Sequence, residues 1–350
     1  MANIPDVIDS GFVLFKKLPS GLPTDLSLDS LSEVETVWFE TCELDDAGVA
    51  VLLSACPMLK ELRVEHCSEV CGAFAASMPE PTKLKSIELS RLSLFRIESF
   101  RPGLGWKALE RIAIHSCSKI DDNELSLIAK HGAVQSVALS ECTGLSSTGV
   151  QELWLMRTLK EVRLDANIRL SIKALAGIAE SNIEVLALTN CDWVDNKALF
   201  VVASATKIID LELAYGFSYV ERNPSTMCFN AEGISALGAL KLQRLDLSYR
   251  PDINETTMRA IGKHLPTLKC LRLDGCKIEH ARSIKALLDA LDGVEEIGLS
   301  NIEGLDKTIL PVLGQHSALK TVDVRGTSIT ESDVEDLIGS ESTMEILVTK

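Results

Sequence analysis

Residues 59–67 read LKELRVEHC, and four further stretches share the form: LERIAIHSC (109–117), VQSVALSEC (134–142), IEVLALTNC (183–191) and LKCLRLDGC (268–276). Each is LxxLxLxxC, with Val or Ile allowed for Leu. The first position recurs at Val34, Leu59, Leu84, Leu109, Val134, Leu159, Ile183, Ile208, Leu242, Leu268, Val294, Leu319 and Met344. The spacings are 25 five times, then 24, 25, 34, 26, 26, 25 and 25. In the first twelve units the fourth and sixth positions are apolar without exception, from Val37 and Phe39 to Val322 and Val324. They alternate with exposed positions three, five and seven, which predicts a short strand with one buried face.

The rest of most units carries a helical pattern opened by a capping residue. Asp121 precedes NELSLIAKH, Asp195 precedes NKALFVVAS, and Thr330 with Asp333 resembles a capping box before VEDLIG. One strand–helix unit cannot bury its own apolar face. Stacking the units pairs the strands in parallel and builds one continuous core. The pattern is that of a leucine-rich-repeat array, an α/β solenoid.

The stretch CPMLKELRVEHC (56–67) makes the likeness specific. It resembles the cysteine-type leucine-rich repeat, in which a helix end of the form C-P-x-L runs into the strand and Cys closes the unit. That subclass occurs in the repeat domains of F-box ubiquitin-ligase receptors and, more distantly, in ribonuclease-inhibitor-like proteins. The resemblance covers about residues 34–349 and implies a horseshoe with parallel strands on the concave face and helices on the convex face. Residues 1–33 are expected to cap the array, with Phe12-Val13-Leu14 a candidate degenerate strand. Residues 34–350 form twelve full repeats and a truncated thirteenth. An F-box is expected to be absent, because LPSGLPTDLSLDSL (18–31) has the leucines and prolines but neither the length nor a helical period.

Composition narrows the partners. The 350 residues are 46% hydrophobic and 5% aromatic, with 50 acids against 35 bases and a net charge of −15. Such a surface repels phosphate backbones, so nucleic acid is not an expected partner. No apolar run approaches the roughly 18–20 residues that cross a bilayer, and Asp6 and Asp9 are out of place in a secretory signal. Ten scattered cysteines then point to reduced thiols in an intracellular compartment, the cytoplasm foremost.

VEHCSEVC (64–71) has the residue types of a metal site. The repeat register explains it otherwise. The ninth position is Cys at Cys42, Cys67, Cys117, Cys142, Cys191 and Cys276, and elsewhere Leu92, Asn167, Gly216, Arg250, Ile302 or Thr327. A small buried side chain suits the turn leaving the strand. His66-Cys67 and His115-x-Cys117 lack the converging ligands that zinc needs. RPGLGW (101–106) lacks the third glycine of a dinucleotide loop, and no GK[ST], G-x-S-x-G or HExxH occurs. No metal, no cofactor and no catalytic residue is expected; the chain reads as a non-enzyme.

A binding face is expected on the strands. Position five runs through Trp38, Arg63, Glu88, Ala113, Ala138, Arg163, Ala187, Glu212, Asp246, Arg272, Gly298 and Asp323. From Arg163 onward positions five and seven are charged in both signs, and Arg163, Asp165, Glu212, Asp246, Arg272 and Asp274 are candidate partner-binding residues. The 34-residue unit carries an insert, GFSYVERNPSTMCFN (216–230), rich in otherwise scarce aromatics. Tyr215, Phe217, Tyr219, Arg222, Tyr249 and Arg250 are the expected contact patch, since insertions in repeat arrays map to loops that often bind. The last unit stops at MEILVTK, a strand without a following helix; a protein partner or a second copy is expected to cover that edge. The favoured function is a non-catalytic interaction scaffold, as a structural subunit of a larger assembly. A ubiquitin-ligase adaptor or substrate receptor is the alternative, and a GTPase-regulating repeat protein the second alternative.

Overall fold

The computed structural model describes residues 6–9, 11–19, 28–77, 83–96, 108–130, 132–217, 229–278, 280–338 and 344–349. The chain divides into two compact units, Met1–Asn182 and Ile183–Lys350. In the first unit β1 (Asp6–Asp9) pairs antiparallel with β2 (Phe12–Lys16). From β2 onward every pairing is parallel: β3 (Thr36–Glu40), β4 (Glu61–Glu65), β5 (Ser86–Ser90), β6 (Arg111–His115), β7 (Ser136–Ser140) and β8 (Glu161–Asp165). Val13 lies opposite Val37 and Phe15 opposite Phe39, with those two phenyl rings stacked at 5.2 Å. The second unit repeats the parallel pattern with β9 (Val185–Thr189), β10 (Asp210–Glu212), β11 (Arg244–Asp246), β12 (Cys270–Arg272), β13 (Glu296–Gly298), β14 (Thr321–Asp323) and β15 (Glu345–Leu347).

The register follows the sequence repeat. Positions four and six are no more than 2% exposed in all twelve full repeats, and each such aliphatic side chain contributes about 1.5–3 kcal/mol by leaving water. The return segments differ in regularity. Helices at Asp122–Ala129 and Asn196–Val202 are capped as their sequences require, Asp121 accepting from the N–H groups of Asn123 and Glu124, and Asp195 from that of Ala198. Thr330 and Asp333 close a reciprocal pair of bonds before Glu331–Ile338. Where Ala-rich or Gly-broken sequence fills the same place, as at Ala73–Ser77 and Ile172–Leu175, the return is only a 3-10 turn.

One register differs from the sequence reading. Glu345 lies opposite Thr321 and Ile346 opposite Val322. The final strand is therefore one residue out of phase with a repeat opening at Met344, and Ile346 and Val348, both half-buried, take positions four and six. With Met344 opening the unit the sixth position would be the polar Thr349, whereas the observed register places Val348 there, so the apolar alternation itself favours the observed phase.

Position eight sets the turn. Thr41, His66, Arg91, Ser116, Glu141, Ala166, Asn190, Tyr249 and Asn301 all hold φ between +49° and +58° there, and Gly275 and Gly326 take the same place at +63° and +71°. At these places the left-handed residue reverses the chain toward the return segment. The next residue is driven inward, which makes the cysteine row. Cys117 donates its S–H to the Leu89 carbonyl at 3.8 Å, Cys142 to Ile114 at 3.6 Å and Cys276 to Leu247 at 3.2 Å. Asn167 performs the same task with its amide, donating to the Leu139 carbonyl at 2.8 Å and accepting from the Cys142 N–H at 2.9 Å. Burial pushes the Cys142 and Cys276 thiols up to about 12, so both stay protonated and able to donate to those carbonyls.

Cys71 stands outside the row and is exposed. Its N–H, with those of Gly72 and Phe74, is gathered by the Asp46 carboxylate at 2.9–3.0 Å. VEHCSEVC is thus a strand end, a ladder cysteine and a loop held by an acid from the preceding repeat. Among the described residues no group of three histidine, cysteine or acidic side chains could hold a metal ion.

Candidate partner-binding face

The ladder breaks on either side of the long repeat, and the structure shows what replaces it. Position nine of the repeat after the insert is Arg250, whose side chain is fully buried. Its guanidinium lies 4.4 Å from the Tyr215 ring centroid and 4.3 Å from that of Phe229. Asp252 completes the site: Arg250 donates from Nε at 3.1 Å and from Nη2 at 2.8 Å to its two carboxylate oxygens. Asp252 Oδ2 also accepts the Phe229 N–H at 2.9 Å. Asn230 and Asn196 then exchange two bonds of 3.0 Å, which returns the chain to the helix Ala231–Ala236. Where an S–H would satisfy one carbonyl, a sandwiched ion pair instead fastens the two ends of the insert.

This revises two expected contact residues. Tyr215 is 2% exposed and Arg250 1%, so neither can touch a partner in the folded chain. Tyr215 occupies position eight without a positive φ, so its ring turns inward rather than outward. Both support the patch from beneath. Tyr219 and Arg222 lie outside the described residues.

The accessible part of the patch is the exposed Phe217 and the half-buried Tyr249. Phe217 is 61% exposed and meets Tyr249 edge to face, the centroids 5.9 Å apart at 65°. Tyr249 is held at three points. Its N–H donates to the Asp274 carbonyl at 2.6 Å, its hydroxyl accepts from Asn301 Nδ2 at 2.9 Å, and its ring lies over Gly275. A Cβ at Gly275 would come within 2.3 Å of that ring, so glycine is required by the close approach as well as by φ.

Beside this edge the strands of the second unit carry charge of both signs. Glu212 lies in register with Asp246, and Asp246 with Arg272. Asp246 Oδ1 accepts the Ser248 N–H at 2.9 Å, yet burial pushes its carboxyl above the ordinary range. Asp274 was expected to face a partner. It is instead 3% exposed and accepts from the N–H and hydroxyl of Ser300, both at 2.8 Å, and from Arg272 Nε at 2.8 Å. Gly298 makes room for it, since a Cβ there would stand 2.8 Å from both carboxylate oxygens. Asp274 is a hub that stitches neighbouring strands, and Arg272 is the exposed half of that pair.

Asp323 and Arg325 extend the row, joined by bonds of 2.9 and 2.7 Å. Burial opposes ionisation of Asp323, but its bonds to Arg325 outweigh it and hold the carboxyl below the usual range. Asp323, Arg325, Asn301 and Gly275 were not singled out as site residues. The signal for the glycine was its recurrence with Gly326 at position eight, where every other repeat carries a side chain. Arg163 and Asp165 belong to the first unit, where Arg163 pairs with Glu161 and Asp165 accepts from the Ser140 hydroxyl at 2.8 Å.

Repeated strand, left-handed turn, inward ladder residue and return segment together define a leucine-rich-repeat solenoid protein. No family model matches the chain. It is similar to a chain of the crystal structure of the yeast Rad7–Elc1 complex, with a TM-score of 0.61 at 16% identity over 90% of this chain and 81% of that one. It is also similar to a chain of the TLR13–ssRNA13 complex, with a TM-score of 0.54 at 13% identity over 96% of this chain and 55% of that one. At these identities the likeness is one of fold.

Proposed function

We propose that the protein is a non-catalytic protein-interaction scaffold that receives its partner on the strand face and aromatic edge of the second unit, as a fixed subunit of a larger assembly. The observation that carries the reading is the Phe217–Tyr249 pair. A 61% exposed phenylalanine packs on a tyrosine whose backbone, ring and hydroxyl are each fixed. A rigid aromatic anchor loses little conformational freedom on binding, which is why Tyr is enriched in interface hot spots. The opposite, helix-bearing side offers shallow polar hollows of about 210–350 Å³, such as the one lined by Lys285, Asp289, Asp292 and His316. Nine free cysteines among the described residues fit a reducing compartment, and no described helix is long and apolar enough to cross a membrane.

The test is native purification of the tagged protein with quantitative mass spectrometry, repeated with Phe217→Ala/Tyr249→Ala. A co-purifying protein at fixed stoichiometry that the variant loses supports the reading. A partner retained in full by the variant refutes this face. The likeness to a chain of the Rad7–Elc1 complex motivates a second reading, a regulatory adaptor that pairs with another protein and exchanges clients. Substoichiometric partners that change with growth condition favour it.

A further inference from the structure

We propose that the N-terminus of the helix Ala281–Leu288 binds a phosphoryl anion, held by the first backbone N–H groups, the Ser283 hydroxyl and Lys277. The other described α-helices of eight or more residues are each closed at the first turn by an oxygen side chain: Asp45, Asp121, Ser146, Asn254 or Thr330. This helix begins at His280, which makes no such bond. The N–H groups of Ala281 and Arg282 have no partner among the described residues, while that of Ser283 donates to the His280 carbonyl at 2.9 Å. No acid lies in the first turn; Arg282 stands there instead, where a cation opposes the helix dipole. An anion at this end satisfies the open donors and offsets both positive contributions.

Ser283 points to the same ligand independently. It is only 8% exposed, yet its hydroxyl has no hydrogen-bond partner among the described residues. A buried hydroxyl left without a partner is costly. This one lines a hollow of about 210 Å³ together with Lys277, His280 and Thr256, volume enough for several waters and so for one tetrahedral anion. Lys277 and Arg282 make no ion pair among the described residues. Glu255, the acid on the facing wall, is already bonded to Arg259 at 2.5 Å. The stretch KIEHARS (277–283) thus sets Lys277, His280 and Arg282 against the single acid Glu279, which lies outside the described residues. A phosphoryl group carries three acceptor oxygens and a charge of about −2. That matches three kinds of donor, the paired N–H groups, the hydroxyl and the ammonium, better than the two oxygens and single charge of a carboxylate.

The test is isothermal titration with inorganic phosphate and with a phosphoserine peptide, its unphosphorylated and glutamate counterparts serving as comparators at fixed ionic strength. Binding with a Kd below about 10 mM is expected for at least one phosphoryl form. A phosphoserine peptide that binds more tightly than phosphate assigns the site to a phosphorylated side chain, and one that does not assigns it to the free anion. Ser283→Ala and Lys277→Gln are each expected to weaken binding by about tenfold. Lys241→Gln removes the same charge ahead of β11, at the other end of the strands, and is expected to change binding less than about twofold. His280→Asp supplies the missing cap. It is expected to raise the melting temperature while abolishing binding, which separates loss of the site from loss of the fold. Equal weakening by Lys277→Gln and Lys241→Gln shows only diffuse attraction and overturns the proposal. So does binding that survives Ser283→Ala or His280→Asp undiminished, a glutamate peptide that binds as tightly as either phosphoryl form, or no binding of phosphate or phosphopeptide up to about 10 mM.

Discussion

Replacing Arg250 by methionine tests whether the broken ladder is held by its substitute ion pair. The variant keeps an unbranched apolar stem between the Tyr215 and Phe229 rings, and it removes the charge. Asp252, whose side chain is 4% exposed, is then left buried with the Phe229 N–H and no cation. Breaking a buried pair from one side costs about 3–5 kcal/mol. Part of this sum is the loss of two ring contacts, each worth about 2 kcal/mol or more when desolvated. It is moderated because Arg250 Nη1 has no hydrogen-bond partner among the described residues, so the native pair is itself imperfectly satisfied. Repeat arrays propagate such losses to nearest neighbours rather than to the whole chain. Hydrogen exchange resolved to residues 229–236 is therefore the assay. At 1.4 kcal/mol per tenfold, 3–5 kcal/mol corresponds to exchange faster by roughly a hundred- to a few-thousandfold. Arg250→Met/Asp252→Asn, which removes both charges and keeps an oxygen to accept the Phe229 N–H, is expected to cost less than either single change. Additive costs in the double variant, or less than about 1 kcal/mol for Arg250→Met, would refute the ion-pair account.

Further expectations follow from the other local geometries. Gly275→Ala adds a Cβ at φ +63° and 2.3 Å from the Tyr249 ring; the backbone alone costs about 1–2 kcal/mol, and the ring must move. Urea denaturation and loss of partner capture read the two effects separately, and an unchanged midpoint would contradict the close approach. Native-state alkylation near neutral pH should modify Cys71 well before Cys142 and Cys276, whose thiols are pushed up to about 12 by burial and whose sulfurs are enclosed; equal rates in intact protein would contradict the inward ladder. Asp246 has a raised folded pKa, so it binds protons more readily folded than unfolded, and its contribution to stability falls as pH rises from the ordinary value of 3.8 through the folded one. Asp246→Asn should therefore stabilise the chain at neutral pH and leave it near wild type in acid. Asp323 has the opposite sign: its depressed pKa stabilises the fold above 3.8, and that support is lost as pH falls through the folded value. Asp323→Asn should weaken the chain at neutral pH, as read by thermal melting across a pH series.

The repeat, the strand positions and the buried ladder were all legible in the order of residues. A short period with two invariant apolar places has only one way to bury them, and side-chain type decides that choice. The same order located the place where the ladder fails, at Gly216 and Arg250. What it did not determine was which residues around that failure point outward. Tyr215 and Arg250 have the chemistry of interface anchors, and tertiary structure alone decided that they face each other in the core. That choice depends on Asp252, two residues on, and on Phe229, which comes from the far end of the insert; together they offset the cost of burying the charge. The same holds on the strand face, where Ser300, Ser248 and the side chain that Gly298 lacks turned Asp274 from a surface acid into a buried hub. Burial of a charge is a property of the groups assembled around it, and those come together only when the repeats stack.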